Sequence, residues 1–289
     1  MPNIHPSENS YLIDQESAAE TARLLEMDHM LNKHMKGLFP EDIDLSTVHD
    51  ILDVACGPGG WVQEVAFAYP KKRVVGIDIS QTMLSYARAQ AAIQGLKNAS
   101  FLLMDATSLL QFPDDSFDIV NARFLGGFMW KEAWPKVVAE CVRVTRPGGT
   151  IRLTEADNAI GITNSVALEN MNRMLIKAGY RTGRSFSPTE DSCHGALTPM
   201  LRYFLKQGGC HLIRQIPYVI DYSADSPDHA APSKNLRLAM KLVQPFLLKL
   251  GITTSAELEN AYQQVVEELE SDGFRGIMYF MSVYGEKPR

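Results

Sequence analysis

From Ile51 onward short apolar runs alternate with helical patterns, and no other feature of this chain restricts its fold as tightly. Four runs come early: Ile51-Leu52-Asp53-Val54, Arg73-Val74-Val75-Gly76-Ile77-Asp78, Ser100-Phe101-Leu102-Leu103-Met104-Asp105 and Phe117-Asp118-Ile119-Val120-Asn121. Their continuous apolar character means burial on both faces, which is the signature of a parallel sheet covered by crossover helices. Helices fit the gaps. One is expected over 61–69, stopped by Pro70, and a second is opened by Ser80 as N-cap, with Met83, Leu84, Ala87 and Ala91 on one face and Gly95 after it. A third runs from about 131 to 144, after which Arg146-Pro147-Gly148-Gly149 predicts a turn into a fifth strand over 150–155. Strands rich in Ile, Val, Tyr and Phe follow over 211–222 and 274–284, with a helix over about 197–207 ahead of the first. Seven strands result.

Three segments lie outside the alternation: residues 1–50, about 157–195 and about 224–272. They read as helical. The first carries capping-box spacing at Ser17 and Glu20, the last at Thr254 and Glu257, each followed by an apolar helical stripe. Composition narrows the partners. The chain of 289 residues is 45% hydrophobic and 21% charged, which excludes disorder, and its net charge of −6 gives no basic footprint for nucleic acid. No stretch supplies the roughly 18 uninterrupted apolar residues of a membrane span, and the acidic first thirty residues do not resemble a signal peptide. Cys56, Cys141, Cys193 and Cys210 are scattered without metal-ligand or disulfide spacing, so a reducing cytoplasm is expected and a metal is not.

The stretch Asp53-Val54-Ala55-Cys56-Gly57-Pro58-Gly59-Gly60-Trp61 is a loop of small residues directly between a predicted strand and a predicted helix. Small residues let a backbone turn sharply and approach a ligand, and in open α/β sheets ligands bind outside the carboxyl end of the first strand. Asp78 ends the next strand, 21 residues after Gly57, about where an acidic side chain meets ribose hydroxyls in nucleoside-binding folds. The third strand ends in Asp105-Ala106 and the fourth in Asn121-Ala122-Arg123, at the same rim. An adenosine-type ligand is expected. A dinucleotide fingerprint fits worse, because Val62 stands where close packing on a pyrophosphate loop needs a small residue.

Residues 51–156 resemble the small-molecule branch of the class I S-adenosylmethionine-dependent methyltransferases. The resemblance is carried by Leu52-Asp53-Val54-Ala55-Cys56-Gly57-Pro58-Gly59, Gly76-Ile77-Asp78-Ile79-Ser80, Met104-Asp105-Ala106, Phe112-Pro113-Asp114-Asp115-Ser116-Phe117-Asp118 and Arg146-Pro147-Gly148-Gly149, in the family's order. It implies a Rossmann-like seven-stranded α/β sheet with the last strand antiparallel, decorated by helical cap insertions. It divides the chain into an N-terminal cap segment, 1–50, and a catalytic domain, 51–289, with insertions at about 157–195 and 224–272. It also implies that Gly57 and Gly59 flank the methionine moiety and that Asp53 supports its amino end, with Ala55 standing where many members have Gly. Asp78 would hold the ribose, Asp105 and Ala106 would meet the adenine, Met83 the ring face, and Asn121 the region of the sulfonium, with Ile79 also among the cofactor-binding residues. Tyr11 is the best match to an aromatic that closes over the cofactor.

Methyl transfer from a sulfonium is an in-line displacement on an activated carbon, so the protein supplies alignment and exclusion of water rather than a nucleophile. A base assists when the acceptor is a hydroxyl or amine, and the candidates are Glu155 and His194, with Asp157 and His229 behind them. Both later insertions leave from the cofactor side of the sheet, so an enclosed cap and a small, partly apolar acceptor are expected. S-adenosylhomocysteine would be the second product. The competing readings are a cofactor-binding accessory or sensor protein without transfer, and a non-methylating enzyme on the same fold. Acceptor identity, O-, N- or C-methylation and oligomeric state are not written in the sequence.

Overall fold

The computed structural model describes residues 12–14, 16–41 and 43–289. Its sheet contains β1 (Asp50–Val54), β2 (Arg73–Asp78), β3 (Ala99–Leu103), β4 (Phe117–Arg123), β5 (Thr145–Glu155), β6 (Ile162–Thr163), β7 (His211–Asp221) and β8 (Gly276–Glu286). The first five are parallel in the order β3-β2-β1-β4-β5, and β8 lies antiparallel against β5. β7 covers the far side of β8, also antiparallel.

Alternate residues of the central strands bury opposite faces, as continuous apolar runs require. Ile51, Val74 and Ile119 pack with Trp61, Leu84 and Ala87 from α2 (Gly60–Ala68) and α3 (Gln81–Ile93). Leu52, Val120 and Leu153 face α4 (Trp134–Val144) and α6 (Thr198–Gln207), where Trp134 and Phe204 stack with ring centroids 5.6 Å apart. A separate core, including Leu168, Met171, Leu236, Met240, Leu258 and Val265, joins α5 (Val166–Arg181), α7 (Ala230–Lys249) and α8 (Ser255–Leu269) into a cap. The N-terminal helix α1 (Ala18–His34) is tied to this cap. Lys234 Nζ pairs with Glu26 at 2.6 Å, Arg23 Nη1 donates to Asn235 Oδ1 at 3.1 Å, and Lys33 Nζ pairs with Asp228 at 2.5 Å.

The structure departs from the expected elements in four places. An eighth strand, β6, pairs with β8 at Ile277, beyond the point where β5 leaves it; two residues are too few to leave a periodic pattern. The expected turn at Arg146–Gly149 is instead an irregularity inside β5, between the pairs Phe117↔Thr145 and Ile119↔Thr150, with Gly148 at φ 78°. α4 begins at Trp134, three residues late, with Pro135 in its first turn, where a missing N–H costs nothing. The capping box at Ser17 does not form: Ser17 makes no side-chain cap bond, while Glu20 accepts two 2.7 Å bonds from Arg23. The box at Thr254 and Glu257 does form.

Candidate active site

The loop after β1 is shaped by left-handed residues at Ala55 (φ 57°), Gly57 (φ 54°) and Gly59 (φ 76°). Their reasons differ. A Cβ on Gly57 would meet nothing nearer than Leu24 Cδ1 and Met83 Sδ at 3.8 Å, and its backbone lines a cavity. A Cβ on Gly59 would lie 2.5 Å from Phe101 Cε1 and 3.0 Å from Ala87 Cβ. Gly59 therefore serves the packing of the loop against α3 and β3 and does not line the cavity, contrary to the expectation that it flanks the methionine moiety. Gly60 is held close by α1, since its Cβ would fall 2.7 Å from Asp28 Oδ2.

Four acidic side chains gather at the strand ends. Asp78 accepts the Gly57 N–H and the Ser80 N–H, each at 2.8 Å, and burial raises its pKa against the pull of those donors. Asp105 accepts from Thr107 N and Thr107 Oγ1 at 2.8 Å, a local turn that fixes its carboxylate at the rim. Asp53 is 4% exposed, and burial pushes its pKa up to about 7 despite Arg123 and a 2.6 Å bond from Asn121 Nδ2. Asp28 is likewise raised by burial, opposed by its 2.7 Å ion pair with Arg123. That pair and a 3.0 Å bond to Asn32 give Arg123 a tethering role between β4 and α1.

Asn121 corrects a second expectation. It sits opposite Asp53 in the β1–β4 register, is fully buried, and lies behind Asp53 instead of lining the cavity. Its amide orients Asp53, making it a positioning residue. Tyr11 lies outside the described residues.

A cavity of about 680 Å³ runs from this loop under the cap. Asp53, Ala55, Gly57, Asp78, Ile79, Met83, Asp105, Ala106 and Glu155 all line it, so most of the residues singled out from sequence are brought together. Ile79 is 56% exposed at its rim, an apolar surface available to a flat ring. Deeper in, Glu155 is 3% exposed and accepts the Leu125 N–H at 2.5 Å and the Gly126 N–H at 3.2 Å. Burial pushes its pKa up to about 8 in spite of those donors. Asp157 instead holds the start of α6, accepting from Leu197 N and Thr198 N at 2.6 and 3.0 Å.

His194 is exposed in the loop before α6 and does not line the cavity, so its expected role as a base has no geometric support. His229 contacts Tyr222 O at 2.8 Å and the Phe274 ring, within the packing of the cap. Two residues of the chamber escaped the sequence reading. Asn172 leaves a trace, a polar residue at i+4 from Leu168 on the buried stripe of α5, whereas Arg184 follows that helix in a loop with no local pattern.

Residues 51–149 match the model of a family described as a methyltransferase domain. The demethylmenaquinone methyltransferase of Lactococcus lactis is 33% identical over 109 residues, covering 37% of this chain and 42% of that protein. The nocamycin O-methyltransferase of Saccharothrix syringae is 39% identical over 106 residues, 36% of this chain and 37% of its own length. The matched region thus spans only about two fifths of these relatives. Among solved structures, the YcgJ protein of Bacillus subtilis superposes with a TM-score of 0.54 at 18% identity, covering 91% of this chain and 99% of that one. A Haemonchus contortus phosphoethanolamine N-methyltransferase in complex with S-adenosyl-L-methionine gives 0.55 at 16%, covering 95% and 57%. These likenesses establish the fold. No helix among the described residues is long and apolar enough to cross a membrane. Residues 51–149 thus match a methyltransferase domain, and the β3-β2-β1-β4-β5 order with an antiparallel strand beyond it is the fold shared with these solved structures.

Proposed function

We propose that this chain transfers a methyl group from S-adenosylmethionine to a small, largely apolar acceptor held beneath its helical cap. The observation that carries the reading is one continuous cavity that joins the strand-end carboxylates to a chamber walled by α5 and α7. Its rim fits the cofactor: carboxylates at Asp78 and Asp105 for hydroxyl and amine donors, Ile79 and Met83 for a ring face, and Gly57 for close backbone approach. Asp78 spends two of its roughly four acceptor positions on the loop N–H groups, leaving capacity for ribose hydroxyls. Asn121 orients Asp53, whose carboxyl would meet the amino end of the bound cofactor. S-adenosylmethionine supplies, when bound, a methyl carbon already activated by its sulfonium.

The protein's own contribution is alignment, exclusion of water by the cap, and management of one proton. Glu155 suits the last task. Its carboxyl is buried on the cavity wall and titrates at about 8, near the pH at which a general base works best, and the Leu125 and Gly126 N–H groups fix one face of it.

The test begins with calorimetry of S-adenosylhomocysteine. Wild type should bind it, and Asp78→Ala should weaken binding at least tenfold while remaining folded, because a hydrogen bond to a charged group contributes about 1.5–3 kcal/mol. S-adenosylmethionine with fractionated metabolite extract should then yield the demethylated cofactor. Failure to bind the cofactor refutes the assignment; binding without turnover across broad acceptor panels points to a sensor or accessory protein instead.

A further inference from the structure

A row of polar side chains crosses the sheet. Asp53 on β1 pairs in register with Asn121 on β4, Asn121 with Arg152 on β5, and Arg152 with Tyr284 on β8. Residues in register on neighbouring strands project from the same face, so these side chains stand side by side, about 5 Å apart from strand to strand. All four are buried, and of the four only Asp53 lines the cavity. Arg152 is 1% exposed. Its Nη1 donates to Leu38 O at 2.9 Å, its Nη2 donates to Met35 Sδ at 3.2 Å, and its Cζ lies 5.7 Å from the Tyr284 ring centroid. None of these is an acid, and a buried charge without a counterion is costly. The remaining edge of the guanidinium is Nε, which is buried and meets no acceptor. At the paired position on β4, Asn121 Oδ1 is buried and meets no donor. A direct bond or a single bridging water satisfies both groups, each of which is expensive to leave unmet.

The chemistry of the two groups gives this link a direction. A guanidinium only donates, whereas an amide donates at one end and accepts at the other. Arg152 therefore holds the Asn121 carbonyl toward β5 and the Asn121 Nδ2 toward β1, where Nδ2 donates to Asp53 Oδ1 at 2.6 Å. An amide turned the other way would face Asp53 with its oxygen, an arrangement that suits the protonated carboxyl instead. Burial favours that neutral form of Asp53, and the nearby charges divide: Arg123 and Arg152 favour the carboxylate while Asp28 opposes it. Arg123 and Asp28 pair with each other at 2.7 Å. On β2, Gly76 pairs with Asp53 and brings no side chain, and Asp78 at the end of that strand is bound to the Gly57 and Ser80 N–H groups. The Cys56 thiol in the following loop is kept neutral by burial. Arg152 is thus the cation near Asp53 that no acid offsets.

On the reading that Asp53 meets the ammonium of bound S-adenosylmethionine, we propose that Arg152 is a positioning residue for the cofactor, acting through Asn121 to keep Asp53 a carboxylate aimed at that ammonium. Arg152 lines no part of the cavity and touches neither the cofactor nor the acceptor.

The test is calorimetry on the full chain with S-adenosylhomocysteine and with 5′-methylthioadenosine, which shares the nucleoside and thioether but lacks the amino-acid end. Wild type should bind S-adenosylhomocysteine the more tightly. Arg152→Met should weaken S-adenosylhomocysteine about fivefold at pH 7 and change 5′-methylthioadenosine by less than about twofold, a split that general damage to the sheet does not produce. Affinity for S-adenosylhomocysteine should rise with pH as Asp53 ionises, and in Arg152→Met that rise should sit about one pH unit higher. Asn121→Leu should reproduce both effects, and the double variant should add nothing further. Equal weakening of the two ligands, no weakening, an unmoved pH profile or additive effects would each overturn the proposal. Where Arg152→Met does not fold, a crystal structure of wild type with S-adenosylhomocysteine decides. Arg152 Nε joined to Asn121 Oδ1, directly or through one water, supports the link; an amide turned with Nδ2 toward β5, or either atom bonded elsewhere, overturns it. Absence of S-adenosylhomocysteine binding in wild type refutes the methyltransferase reading itself, whereas binding that Arg152 does not influence removes only this inference.

Discussion

Replacing Glu155 by Gln tests the electrostatics of the cavity without needing the acceptor. The folded protein holds the Glu155 proton up to about pH 8, against an ordinary value of 4.5, because burial disfavours the carboxylate more than two backbone N–H groups favour it. The folded state thus binds this proton more tightly than the unfolded chain. The associated stability is complete below pH 4.5 and is lost as pH rises through about 8. At about 1.36 kcal/mol per pH unit, the full loss is on the order of 5 kcal/mol. Glu155→Gln keeps an oxygen for the Leu125 N–H and carries no charge at any pH, so it lacks this slope. Urea unfolding of both proteins, followed by tryptophan fluorescence at pH 5, 7 and 9, reads the difference. Asp53, which titrates near 7, is present in both and cancels. Wild type should lose on the order of 3 to 5 kcal/mol relative to the variant between pH 5 and pH 9, and the variant should be the more stable protein at the alkaline end. Parallel stability curves across that range would refute the claim that burial governs this carboxyl.

Two substitutions in the loop after β1 separate packing from ligand contact. Gly59→Ala drives a methyl into Phe101 from a left-handed backbone, so unfolding free energy should fall by about 2–4 kcal/mol; a variant as stable as wild type in urea would show that the contact relaxes freely. Ala55→Gly relieves the strain of an alanine at φ 57° and should gain about 0.5–1 kcal/mol in the same measurement, with a loss of stability counting against that strain.

The donor half of the site was legible because it is built from local grammar. Strand, loop and helix alternate over short stretches of sequence, and Gly57, Asp78 and Asp105 fall at or just past the ends of three parallel strands. The same grammar misassigned Gly59 and Asn121, because spacing puts a residue at a strand end without saying which way it faces. Gly59 answers to Phe101, and Asn121 to the register that sets it behind Asp53. His194 looked chemical by residue type alone, and the course of its loop leaves it exposed.

The acceptor half was decided elsewhere. Periodicity predicted helices in the insertions, and the capping box at Thr254 formed as its spacing required. Which of their faces meet is settled by contacts between segments far apart in the chain: α1 clamped to α7 through Arg23 and Asn235, and α5 and α7 brought against the loop that carries Trp130. The sequence by itself determined the parallel sheet and the cofactor-side loop, since hydrophobic period and small-residue turns act within a few residues. Only the tertiary structure determined that Glu155, Asn172 and Arg184 share one cavity, because burial, and the pKa shifts and orphaned acceptor that follow from it, depend on which distant elements cover a residue.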